Sequence, residues 1–155
     1  MTVNVKLADI VDGMESQSFD NRVFIHRKTG EIVFMLAEFL TQAEDGEEPD
    51  ESDPEWHKEM FALANDIIEN EYMYLPLPEF KIDEYRMMER FCFTVRDSGK
   101  EAALLDAIQG SGAFRRFKDL VHRFEIVDDW YDYREEGYKQ IARDFCERHE
   151  FDYTE

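Results

Sequence analysis

Gly110-Ser111-Gly112 stands just ahead of Arg115 and Arg116. Two glycines opening a helix, with cations in its first turn, could make an anion site. A helix N-terminus leaves backbone N–H groups unpaired and carries partial positive charge, so a phosphate or carboxylate would be held there. A dinucleotide fingerprint needs a preceding strand and a third glycine. Here a helical pattern precedes, and Arg115 occupies the third position. No Gly-Lys-Ser/Thr sequence occurs in the chain. The simpler reading lets Gly110 end one helix and Gly112 ease the start of the next.

The segment that follows runs against the rest of the chain. Arg115, Arg116, Lys118, His122 and Arg123 make one side of a helix basic, while Phe114, Phe117, Val121 and Phe124 recur at helical spacing as its core side. Arginine and aromatic residues together are enriched at interface hot spots, so this element is a candidate contact surface. Trp130, Tyr133 and Arg134 would flank it if the last two helices pack antiparallel. The competing reading pairs these cations with the chain's own carboxylates, in exposed ion pairs worth about 0–1 kcal/mol each.

Other chemistry is poorly supported. His26, His57, His122 and His149 are dispersed, and no His-Glu-x-x-His sequence is present. Cys146-x-x-His149 and Asp119-x-x-His122 each offer two ligands without a third, so no metal site and no cofactor are expected. There is no Gly-x-Ser-x-Gly elbow, and carboxylates are too numerous for any pair to stand out as an acid–base dyad. No catalytic residue is assigned.

These residues must be positioned by the elements around them. Val3 to Met14 reads as a short amphipathic helix, with Leu7, Ile10, Val11 and Met14 on one side. Alternation over Phe19–His26, a turn at Lys28-Thr29-Gly30-Glu31 and a return through Ile32–Met35 predict a β-hairpin. Residues 41–53 are rich in Asp and Glu and read as a solvated, mobile loop, and Asp45-Gly46 lacks calcium-loop spacing. Asp53-Pro54 predicts a helix start with Trp56, Met60, Leu63, Ala64 and Ile67 inward. Tyr72–Leu77 reads as a third strand, confined to an edge by Pro76 and Pro78. A helix opening at Asp83 carries Tyr85, Met88, Cys92 and Val95 inward. Ser98 and Glu101 have capping-box spacing for the next, with Leu104, Leu105 and Ile108 inward. The final helix starts near Asp128 or Asp129, buries Trp130, Tyr133, Ile141, Ala142 and Phe145, and frays through Arg148-His149-Glu150. The expected fold is α+β: a small antiparallel sheet of about three strands, the N-terminal hairpin plus one, with five or six helices and a helical C-terminal half.

The bulk numbers bound the function. The chain has 155 residues, enough for one domain that buries roughly 68–70% of its unfolded surface. Its 37 acidic against 18 basic residues give a net charge of −19. That field repels DNA, RNA and anionic membranes. It is compatible with docking onto a basic partner or with imitation of a nucleic-acid backbone, and implies neither by itself. No apolar run reaches the ~18 residues of a spanning helix, and no signal peptide is visible. Cys92 and Cys146 read as free thiols in a reducing cytoplasm.

The run Leu104-Leu105-Asp106-Ala107-Ile108-Gln109-Gly110-Ser111-Gly112-Ala113-Phe114-Arg115-Arg116-Phe117-Lys118-Asp119 resembles the signature of the uncharacterised bacterial family UPF0158. Trp130-Tyr131-Asp132-Tyr133-Arg134 is similar to its second landmark. Thr29-Gly30-Glu31-Ile32, the acidic run and Tyr74-Leu75-Pro76-Leu77-Pro78 also resemble family features. The resemblance implies a bacterial cytoplasmic protein and brings no activity, substrate or cofactor. Ser111 stands where relatives are expected to carry a basic residue, and Gly137 interrupts the last helix, which counts against an anion-binding loop. The reading is a non-catalytic protein–protein interaction or regulatory module. Gly110, Gly112, Arg115, Arg116, Lys118, Arg123, Trp130, Tyr133 and Arg134 are its candidate binding residues. The alternative is a small-anion or nucleotide-binding protein, an enzyme or not, that uses Gly110–Gly112 with Arg115 and Arg116.

Overall fold

The computed structural model describes residues 2–79 and 81–155, and its contacts divide them into two compact units. The first unit takes residues up to Glu79 together with Ala142–Glu155; the second runs to Ile141. The last helix supplies residues to both.

The first unit is built on a three-stranded antiparallel sheet ordered β3-β2-β4, with β2 at Asn21–His26, β3 at Ile32–Leu36 and β4 at Tyr74–Pro76. The hairpin register pairs Val23 with Phe34 and Phe24 with Val33, and Gly30 in its turn has φ +73°, where glycine is unstrained. Val23, Phe24 and Ile25 are all buried, so the central strand is covered on both faces. One face meets α1 (Leu7–Ser16): a Cβ on Gly13 would lie 2.6 Å from Leu77, 3.2 Å from Val23 and 3.4 Å from Ile32. The other face carries Phe24, Val33 and Met35. It packs on Phe39, Leu40 and Ala43 of α2 (Ala37–Glu44) and on Phe61, Ala64 and Ile67 of α3 (Glu55–Glu69). Helix α2 has no counterpart in the sequence reading, and it takes the first residues of the acidic segment 41–53.

Three expectations shift here. Asn4–Lys6 is not helical but a strand, β1, paired in parallel with β5 (Asp152–Thr154) beyond the expected fray at the C-terminal end. Pro54 is the N-cap of α3 rather than its first residue, and Asp53 accepts a hydrogen bond from the Asp50 N–H at 2.8 Å, closing the preceding turn instead. Trp56 is 58% exposed; the buried stripe of α3 is Phe61, Ala64 and Ile67.

The second unit is helical. It comprises α4 (Lys81–Thr94), α5 (Ser98–Ala107), α6 (Ala113–Arg123) and α7 (Val127–Arg148) as far as Ile141. Helix α4 starts ahead of Asp83. The cap of α5 is Asp97, not Ser98: its Oδ1 accepts from the N–H groups of Gly99 and Lys100 at 2.9 and 3.0 Å. A charged acceptor one residue earlier makes the stronger cap, and Ser98 becomes the first helical residue. Met88, Cys92, Leu104, Ile108, Phe117, Val121 and Tyr138 form the fully buried centre. The two units together make an α+β chain with a small antiparallel sheet, a parallel strand pair and a helical C-terminal half.

Candidate functional site

The α5–α6 connection is shaped by one side chain. Gly110 and Gly112 adopt φ +73° and +79°, and the turn they make directs carbonyl groups at Arg116. Arg116 donates from Nε to the Ala107 carbonyl at 2.8 Å, from Nη1 to Ser111 at 2.7 Å and from Nη2 to Gln109 at 2.6 Å. A guanidinium is a rigid fork of donors, and three convergent carbonyls satisfy most of it. Gly112 is required twice over, because a Cβ would also lie 2.9 Å from Arg116 Nη1. The loop therefore holds a cation that belongs to the chain, which leaves Arg116 little to offer an anion or a partner.

Helix α6 sorts its remaining residues by face. Ala113, Phe117 and Val121 are buried. Phe114, expected in the core, is 41% exposed. It shares the outward side with Arg115, Lys118, Asp119, His122 and Arg123, all exposed. Among the described residues, no hydrogen bond or ion pair is made by the side chains of Arg115, Lys118 or Arg123. Arg116 and Arg123 line a cleft of about 360 Å³ together with Asp106 and Asp119.

The expected flanking residues do not join this surface. Trp130 is buried, with its ring 4.8 Å from Phe117 and 5.4 Å from Phe91, edge on. Such pairs add about 0.5–1.5 kcal/mol beyond area burial, so Trp130 is core. Arg134 Nε lies 3.0 Å from Glu84 Oε1, and its guanidinium sits 4.4 Å above the Tyr138 ring. Tyr133 is half-buried against Phe91. It lines a second cleft of about 610 Å³ together with Arg96, Lys100, Asp129 and Asp132. Of these the sequence marked Tyr133 as a candidate but not its neighbours, because the cleft unites the α4–α5 turn with the start of α7, which are far apart along the chain.

Titratable groups give little catalytic promise. Burial pushes the thiols of Cys92 and Cys146 up to about 11, so they are protonated and unreactive near neutral pH. Burial and the Asp66 carboxylate, which accepts a hydrogen bond from the Tyr74 hydroxyl, raise that phenol to about 12. His149 is held below its usual value by burial and by the charges of Arg27 and Arg148. Among the described residues, no cluster of three or more His, Cys, Asp or Glu could hold a metal ion. Among the described residues, no helix is long and apolar enough to cross a membrane.

The sequence block that builds this connection is also the block that resembles a known family, and the comparison extends that likeness from Asn4 to the last residue. The uncharacterised protein family UPF0158 matches residues 4–155. The chain belongs to this family. No curated protein and no solved structure gives a significant match. In this chain the block from Gly110 to Arg116 ties α5 to α6 through Arg116 and its three carbonyl acceptors. Of the exposed cations, Arg115 lies within this block and Lys118 and Arg123 beyond it.

Proposed function

We propose that this UPF0158 protein is a non-catalytic interaction module, working in a bacterial cytoplasm, that presents the outward face of α6 to a protein partner. One observation carries the reading. Phe114, Arg115 and Lys118 project from one helix face and, among the described residues, the two cations have no intramolecular counter-charge. An exposed aromatic knob ringed by cations suits a helix laid into a groove with acidic walls. Because the rest of the chain is strongly acidic, such a partner is attracted at one face and repelled elsewhere, which orients docking. Two free, buried thiols fit a reducing compartment. The anion-binding alternative relied on Arg115 and Arg116 acting together, and Arg116 is already engaged by three carbonyls.

The test compares capture of host proteins by the wild type and by a folded Phe114→Ala/Arg115→Ala/Lys118→Ala variant. Loss of one specific partner from the variant is expected. Identical capture by both proteins removes α6 as the docking surface. A rise in Tm with phosphate or nucleotide would favour the small-ligand reading, since ligand at 100 times its Kd adds about 2.7 kcal/mol.

A further inference from the structure

The two edges of the three-stranded sheet are treated differently. Register and hydrogen bonds fix which way each backbone group points. The His26 N–H donates to the Glu31 carbonyl at 2.9 Å, and the Ala37 N–H donates to the Asp20 carbonyl at 2.9 Å. In an antiparallel ladder the bonded pairs alternate, so Val33 and Met35 also face β2. Ile32, Phe34 and Leu36 therefore turn their N–H groups away from β2, and Ile32 and Phe34 their carbonyls as well. Among the described residues, none of these groups has a hydrogen-bond partner.

On the opposite edge the same phase places Pro76 where its missing N–H would have faced outward, because Val23 accepts from the Leu77 N–H at 3.0 Å. That proline blunts the β4 edge. Nothing comparable protects β3. Its five residues are Ile32, Val33, Phe34, Met35 and Leu36, with no charge, proline or glycine among them. The side chains on its outward-bonding residues are also apolar and accessible: Phe34 is 47% exposed and Leu36 41%.

We propose that β3 is a docking edge that accepts an extended segment of another protein by strand addition, and that this segment has an apolar centre and basic flanks. Open backbone groups supply affinity in this mode, and alternate side chains supply selectivity. Phe34 and Leu36 would pack against the apolar centre. Glu31 and Glu38, the exposed charges next to either end of the strand, are acidic, as is exposed Asp20, which accepts from the Ala37 N–H; exposed Arg22, opposite Met35, and Lys28, in the turn, lie inside that bracket. Charge complementarity therefore favours Lys or Arg on both sides of the incoming strand. A second copy of this chain would instead bring the same carboxylates and a further charge of −19 against them. This edge belongs to the first unit, and the proposal does not depend on α6.

The probe is a short synthetic peptide of alternating valine and threonine with lysines at both ends, added to the full chain and followed by amide hydrogen exchange. At ten times its Kd the free fraction is about one in eleven, so exchange at Ile32, Phe34 and Leu36 slows about tenfold. The same peptide with glutamates at its ends leaves them unchanged. Phe34→Pro removes the central donor and abolishes the effect, with its fold checked by unaltered protection of Phe24 and Ile25, whose N–H groups face β3 and β4. If that variant does not fold, Phe34→Lys, which sets a charge on the edge, takes its place with the same expectation. No slowing, slowing elsewhere, or equal slowing by the acidic peptide overturns the proposal. So does a dimer of the chain alone that Phe34→Lys dissociates, because the edge would then serve a second copy.

Discussion

Arg115 and Arg116 are neighbours with the same charge and opposite duties. Arg116 ties three carbonyls of the α5–α6 connection, whereas Arg115 points outward without an intramolecular partner among the described residues. Hydrogen bonds to a charged group contribute about 1.5–3 kcal/mol when shielded, and less where water competes. Arg116→Ala should therefore cost about 2 kcal/mol in urea unfolding, and Arg116→Lys should recover less than half, since a single ammonium cannot span three acceptors. Arg115→Ala should stay within about 0.5 kcal/mol of the wild type. Equal losses at both positions would contradict the division of labour. The sequence marked both arginines and could not separate them. Which one meets the carbonyls depends on the left-handed turns at Gly110 and Gly112, and the helical phase of the two residues differs by one step. Trp130 reads both as an inward residue of the last helix and as a flank of the contact surface, and only the first holds, because an aromatic residue at helical spacing reads alike in a core and beside an interface.

At the scale of elements, glycines within helices test the packing most directly. Gly13 in α1 faces the sheet, and a Cβ there would lie 2.6 Å from Leu77 Cδ1 with Val23 and Ile32 close behind. These are branched side chains fixed in a core. Overpacking costs about 1–3 kcal/mol, which outweighs the gain of about 1 kcal/mol in helix propensity. Gly13→Ala should be net destabilising by thermal or urea unfolding. Gly137 in α7 offers a contrast. The three atoms nearest to its added Cβ all belong to Met87, at 2.7 Å for Sδ, 2.9 Å for Cε and 3.4 Å for Cγ. A methionine end can swing aside, so Gly137→Ala should be neutral or stabilising by up to about 1 kcal/mol. Similar losses in the two variants would show that Met87 is as rigidly held as the sheet. Elements with strong periodicity or turn chemistry were legible, as the hairpin around Gly30, the stripe of α5 and, apart from the exposed Phe114, the stripe of α6 show. Helix α2 was not, because eight residues with Phe39, Leu40 and Ala43 inward run straight from a strand into an acidic segment. Strands β1 and β5 have three residues each, and their pairing joins the two ends of the chain. No local pattern can announce such a partner.

For the whole molecule, charge is the property that the sequence states most plainly, and at α6 the fold leaves cations without a counter-charge among the described residues. A net charge of −19 repels itself in the folded state more than in the expanded one. Added salt shortens the screening length from about 30 Å at 0.01 M to about 10 Å at 0.1 M, so this self-repulsion should relax and Tm should rise. Docking through α6 should respond in the opposite sense. Arg115, Lys118 and Arg123 are exposed, so their attraction for an acidic groove is screened by the same ions, and partner affinity should fall. The two measurements, Tm by calorimetry and affinity for the captured partner over the same salt series, separate two accounts of the basic helix. Opposite slopes mean that its cations are held for a partner. Parallel weakening of fold and binding would mean that they are already engaged with the chain's own carboxylates, holding an acidic molecule together rather than displaying a surface.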